Sequence, residues 1–195
     1  MKALIGYDLK FNSKSKGNGG VFLLNEKTLE LNIASEFLNI CRRYDPQSFV
    51  FGTTLRQEAY LGYDSRVLGR LPPFWRTAIF QFKKVVRWSH MRNEYVFRIN
   101  NNRNRDQHAI LYMATGGQPR IAFYVLPILT TLDDVRTAAP NLLRKTLFAD
   151  VADIPPWITN NLPHYLIVYP QWQLGVLRSK EYRIGLLSFE DLLGN

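Results

Sequence analysis

The sequence predicts one α/β (α+β) domain, a single mixed sheet flanked by helices, and three observations carry that prediction. The 195 residues suffice for one compact core and fall short of two ordinary domains. Hydrophobic residues make up 46% of the chain, with 12 Phe, 10 Tyr and 4 Trp, which excludes a disordered polymer. The apolar pattern alternates between helical spacing and strand-like runs, and no repeat period, heptad or glycine periodicity overrides it.

Taken in order, residues 11–20 (FNSKSKGNGG) lack apolar anchors and predict a mobile loop, with a short strand or arm over 21–24. Ile33, Phe37, Ile40, Cys41 and Tyr44 share one face at helical spacing. They predict a helix over 33–44, with Asn32 as N-cap and Asp45-Pro46 as stop. Strands are expected at 48–53, at 57–64 (QEAYLGYD) and, after the break at 71–73, at 77–88 (TAIFQFKKVVRW). A further strand at 93–99 is either an insertion or the hairpin partner of the one before it. The polar turn 100–106 feeds a helix capped by Asp106 and ended by Gly116-Gly117. Ile121 to Leu126 (IAFYVL) is almost continuously apolar, as expected of a strand covered on both faces. A helix over 132–148, strands at 164–169 and 182–187 and a short terminal helix complete the chain. The domain therefore divides into an N-terminal arm and loop (1–30), a core (31–127) and a C-terminal helix and strand extension (128–195).

Twenty-five Lys and Arg against 16 Asp and Glu give a net charge of +9. Such an excess suits a polyanionic partner, although a basic surface also serves solubility alone. The lone Cys41 excludes a disulfide framework and a Cys-rich zinc site, and the three histidines, His90, His108 and His164, show no ligand spacing. The strings HExxH, CxxC, GK(S/T), GxGxxG after a strand, and GxSxG are all missing from the sequence, which argues against zincins, P-loop enzymes, dinucleotide binders and serine hydrolases. No apolar run approaches a membrane span, and the opening MKALIGYDLKF reaches Asp8 too early for a secretory signal. A soluble cytoplasmic protein without a membrane partner is expected.

The sharpest local feature lies in the predicted strand 77–88, where alternation places Ile79, Gln81 and Lys83 on one face and Phe80 and Phe82 on the other. Asp64, in LGYDSRV, stands 17 residues before Gln81 (81 − 64), at the end of a candidate neighbouring strand. An Asp, a variable connection and a Gln-x-Lys, set after a helix and two strands, resemble the PD-(D/E)xK nuclease superfamily in its QxK, Mrr-like variant. The resemblance implies a restriction-endonuclease-like αβββαβ core and a metal-dependent nuclease acting on DNA, in restriction, defence or repair. It assigns Asp64 as the metal-binding carboxylate, Gln81 as second ligand and Lys83 as the residue that orients the attacking water. Glu36, on the first helix, is the implied accessory acid, with Glu58 as second choice. Mg²⁺, or Mn²⁺, is the implied cofactor, and hard cations held by few carboxylates suit phosphodiester hydrolysis.

Gln107 and His108, opening the second core helix, resemble the polar residues that related nucleases place near the site. Lys84, Arg87, Arg98, Arg103 and Arg105, with Trp88, Tyr95 and Phe97 interleaved, suit phosphate neutralisation and base stacking. DNA is expected ahead of RNA, with a homodimer or a partner subunit supplying selectivity. The chain departs from the family pattern in two ways: Tyr63 replaces the proline before Asp64, and Gln81 is neutral. A non-catalytic nucleic-acid-binding or assembly subunit with a degenerate nuclease fold is therefore the alternative expectation, and a protein-interaction module a third.

Overall fold

The computed structural model describes residues 24–71, 75–99, 106–158 and 164–193. The expected loop at 11–20, most of the arm, the turn at 100–105 and with it Arg103 and Arg105 lie outside the described residues. The element order is α1 (Glu26–Tyr44), β1 (Phe49–Gly52), α2 (Leu55–Leu61), β2 (Ser65–Leu71), β3 (Trp75–Phe82), β4 (Val85–Ser89), β5 (Glu94–Ile99) and α3 (Gln107–Ala114). There follow β6 (Ala122–Pro127), α4 (Leu132–Ala138), β7 (Thr146–Asp150), β8 (His164–Tyr169), β9 (Leu174–Leu177), β10 (Tyr182–Gly185) and α5 (Phe189–Leu193). The fold is mixed α and β, with five α-helices among the described residues.

The expected single sheet is in fact two. The first has the order β1-β2-β3-β6-β7 and the second β10-β9-β8-β5-β4. In the first, β3 and β6 run parallel and every other pairing is antiparallel. The second is antiparallel throughout. The strand expected at 77–88 breaks at Lys83-Lys84, and there the chain leaves the first sheet for the second. The segment 93–99 is the hairpin partner, but of the second half of that strand: Val85 pairs with Phe97 and Trp88 with Tyr95.

Burial explains the layering. One face of the first sheet presents Val67, Phe80, Phe82, Phe123, Val125 and Phe148 to Leu29, Ile33, Phe37 and Cys41 of α1. The other face presents Ile79, Tyr124, Leu126 and Ala149 to Phe97, Ile99, Leu166, Val168 and Ile184 of the second sheet. Sandwiched between a helix and a sheet, β6 is buried at every residue, which is why its sequence is continuously apolar. Phe80 anchors the helix side, its ring edge-on to Phe37 at 5.0 Å between centroids.

Three local expectations give way. Asn25 caps α1, its side chain accepting from Thr28 N–H at 2.6 Å, so the helix begins seven residues before Ile33. The segment 57–64 is not a strand: Thr54 and Gln57 close a capping box, α2 follows, and Gly62 ends it at φ +78°. The helix expected over 132–148 stops at Ala138, and after a 3₁₀ turn (Leu142–Lys145) the chain becomes β7 at the edge of the first sheet. The C-terminal third is thus no appendage. It completes one sheet and supplies three of the five strands of the other.

Candidate active site

The end of β3 is where the fold gathers its polar side chains. Asp64 opens β2 and is held from both sides by backbone: its N–H donates to Phe80 C=O at 3.1 Å, and its own C=O accepts from Thr53 N–H at 2.9 Å. The Thr53 hydroxyl also donates to the carbonyls of Tyr63 and Asp64, at 2.8 and 2.9 Å. With its backbone pinned, Asp64 receives Phe82 N–H at 2.6 Å and Gln81 Nε2–H at 2.9 Å, both on Oδ2. Gln81 Oε1 in turn accepts from Gln107 Nε2 at 3.2 Å, and Lys83 Nζ donates to Gln107 Oε1 at 3.5 Å. Asp64, Gln81, Lys83 and Gln107 therefore meet in one hydrogen-bonded chain.

Two carboxylates complete the group. Glu26, in the first turn of α1, lies close enough to Lys83 and Lys84 for their charges to act on its carboxyl. Glu58 projects from α2, and Glu26, Lys27, Glu30, Thr53, Glu58 and Asp64 line a cavity of about 450 Å³. Lys27 and Glu30, both on α1, pair with each other at 2.8 Å.

Burial dominates the electrostatics. The Asp64 carboxyl is pushed up to about 8, chiefly by burial and further by the charges of Glu58 and Glu26, against the pull of Lys83 and of the Phe82 N–H. Glu26 is likewise raised by burial. Lys83, 2% exposed, is held below the ordinary lysine value because its ammonium is desolvated, although Glu26, Asp64 and Glu58 all attract it. Among the described residues it forms no direct ion pair, so a buried amine with three potential donors holds one long hydrogen bond. Perturbed titratable groups gathered at a cleft make this cluster the candidate site.

The donor chemistry fits a hard cation. The carboxyl groups of Glu26, Glu58 and Asp64 offer only oxygen ligands, and Asp64 lines the cavity with Oδ2 alone hydrogen-bonded among the described residues. No set of three His, Cys, Asp or Glu forms a ready metal cage among the described residues. Mg²⁺ does not require one, since it keeps several waters and takes one or two carboxylates.

The remaining expected site residues lie elsewhere. Glu36 does not join the cluster. It sits ten residues along α1 from Glu26, roughly 15 Å by helical rise, where its carboxylate accepts the N–H groups of Leu142 and Leu143 at 2.7 and 3.4 Å. The acid from α1 is Glu26, which a helix started at Ile33 leaves out; Asn25 followed by Glu26, with Leu29, Ile33 and Phe37 at four-residue spacing, is the signal that finds it. Glu58 does reach the cavity, though from a helix.

His108 is not exposed to a ligand. It is fully buried, with Nε2 donating to Ile154 C=O at 2.7 Å and Nδ1 accepting from Tyr124 O–H at 2.9 Å. A carbonyl only accepts, so Nε2 carries a proton, and burial lowers the ring's pKa. Successive helical residues point about 100° apart, which is why Gln107 meets the site and His108 the core. Lys84 is exposed beside the site, whereas Arg87 and Arg98 belong to the second sheet.

No family model, curated protein or solved structure matches this chain. Among the described residues, no helix is long and apolar enough to cross a membrane.

Proposed function

We propose that the chain is a metal-dependent nuclease of the PD-(D/E)xK type that hydrolyses phosphodiester bonds in DNA. The observation that carries the reading is that Asp64, from before β2, meets Gln81 and Lys83, at the end of β3, in one buried hydrogen-bonded cluster beside a cavity lined by carboxyl groups. The chain order is compatible with it once two insertions are set aside: α1, then β1, β2 and β3 paired antiparallel with α2 between the first two, then, after the β4–β5 hairpin of the second sheet, α3 leading to β6 parallel to β3.

In this reading Asp64, with Gln81 Oε1 and the carboxylates of Glu26 or Glu58, holds Mg²⁺ or Mn²⁺. When bound, the cation polarises the phosphoryl oxygens and makes water a better nucleophile. The chain's own residues do the rest. Phe82 N–H and the Gln81 amide fix the Asp64 carboxylate in one orientation. Gln107 Oε1 steers the Lys83 ammonium, which sets the attacking water and places positive charge where the transition state gains negative charge.

The test is cleavage of labelled duplex DNA, single-stranded DNA and RNA with Mg²⁺, Mn²⁺ or EDTA. Metal-dependent cutting of DNA, lost in folded Asp64→Ala and Lys83→Ala proteins, is the expected result. Cutting by Lys83→Ala at the wild-type rate overturns it.

One observation favours a second reading, a nucleic-acid-binding subunit with a degenerate site. Gln81 spends its amide on Asp64 and Gln107 and brings no charge to a metal. That reading predicts salt-sensitive binding, unchanged by Asp64→Asn beyond charge relief, and no cleavage with any metal.

A further inference from the structure

The second sheet buries one face against the first and turns the other outward. Strand registers line up one row of outward residues across all five strands: Arg87 pairs with Val96, Val96 with Ile167, Ile167 with Val176, and Val176 with Arg183. The row is aliphatic in the middle and basic at both ends, and four strand spacings separate its arginines by roughly 19 Å. Beside it, Arg98 pairs with Tyr165, whose ring stays 36% exposed under the Arg87 guanidinium, 5.8 Å from the ring centroid. Arg98 Nε is buried without a hydrogen-bond partner among the described residues, a charged donor that lacks an acceptor. Val96, in the middle of the row, is 8% exposed, so the accessible part of the strip is formed by Ile167 and Val176.

A flat sheet face that offers one stacked aromatic–guanidinium pair, a short aliphatic strip and arginines at its margins matches the chemistry of single-stranded nucleic acid. Unpaired bases present apolar π faces that can lie on Tyr165, Ile167 and Val176, while their phosphates supply acceptors for the exposed guanidinium groups of Arg87 and Arg183. A duplex hides its base faces and leaves the tyrosine unused.

We infer that the outer face of the second sheet is a binding platform for single-stranded nucleic acid, DNA or RNA, centred on Tyr165 and bounded by Arg87 and Arg183. The platform does not depend on the nuclease reading, and its test runs in EDTA, where metal-dependent cleavage is silent. Fluorescence anisotropy of the full chain with labelled single-stranded DNA, single-stranded RNA and duplex DNA compares wild type with four variants. Tyr165→Ala should weaken single-strand binding about fivefold or more, the loss of one stacked base, and Tyr165→Phe should restore it. Arg183→Glu should weaken it about tenfold and reduce the salt dependence by about 0.7 for each phosphate it no longer neutralises. Arg43→Glu makes the same charge change on α1, on the opposite side of the first sheet, and should shift binding less than about threefold, since it lies away from the strand's path. Single-strand binding untouched by Tyr165→Ala and Arg183→Glu overturns the proposal. So does an equal loss in Arg43→Glu, or a preference for duplex that ignores Tyr165. Platform binding with a dead Asp64 site would sink the nuclease alone, and cleavage that survives Tyr165→Ala with unchanged binding would sink the platform alone.

Discussion

Asp64→Asn should make the metal-free protein more stable while removing the function proposed for it. A carboxyl that titrates near 8 rather than at 3.8 has its ionised form disfavoured in the fold by on the order of 5 kcal/mol, mostly through burial. Asparagine keeps an oxygen to accept from Phe82 N–H and Gln81 Nε2–H and avoids the charge. Part of the gain is returned because Lys83 loses an attracting neighbour. A net gain of about 2–3 kcal/mol at pH 8.5 is expected, roughly 5–10 °C in Tm for a chain this size.

The sign follows from proton linkage. Between pH 4 and 8 the folded state holds a proton on Asp64 that the unfolded chain has released, so the wild type loses stability as pH rises through this window. The advantage of Asp64→Asn is therefore full above about pH 8 and vanishes toward pH 4. Urea unfolding of both proteins in EDTA from pH 4.5 to 9 measures it. An Asp64→Asn protein less stable than wild type at pH 8.5, or a difference that does not change with pH, refutes the reasoning. Mg²⁺ should then raise the wild-type midpoint and leave that of Asp64→Asn unmoved.

Gly62→Ala should destabilise by about 1–2 kcal/mol, since φ is +78° and a Cβ would stand 3.1 Å from the Gln107 carbonyl oxygen; urea midpoints report it, and a neutral result would mean that the contact between α2 and α3 yields easily. Glu36→Ala should lower stability by about 1–2 kcal/mol by leaving the Leu142 and Leu143 N–H groups without their acceptor, with no change in metal-dependent cleavage. A drop in cleavage by a folded Glu36→Ala protein would return that residue to the site.

Much of the site is legible because strand alternation is a local rule. Ile79, Gln81 and Lys83 share a face as expected, and Asp106 caps a helix whose first residue, Gln107, reaches that face. Glu58 shows the opposite case. The aromatic residues of its segment suggest a strand, although Thr54-x-x-Gln57 and Gly62 spell out a helix start and stop; the helix still delivers Glu58 to the same cavity. Glu26 escapes a reading that starts the helix where its apolar stripe is densest and not at its cap.

By itself the sequence determined what short-range chemistry determines: α1 and its apolar stripe, the doubly buried run of β6, the cap of α3, and the polar face at the end of β3. Only the tertiary structure decided the rest. A run of alternating residues reads the same whether the strand continues or changes sheets, so the break at Lys83-Lys84 and the second sheet come from pairing with β5 and β8, far along the chain. The fate of each titratable side chain was settled in the same way. Glu36 and His108 found backbone partners at Leu142, Leu143 and Ile154 that no local spacing reveals, while burial pushed the Asp64 carboxyl up and the Lys83 amine down beside a cavity.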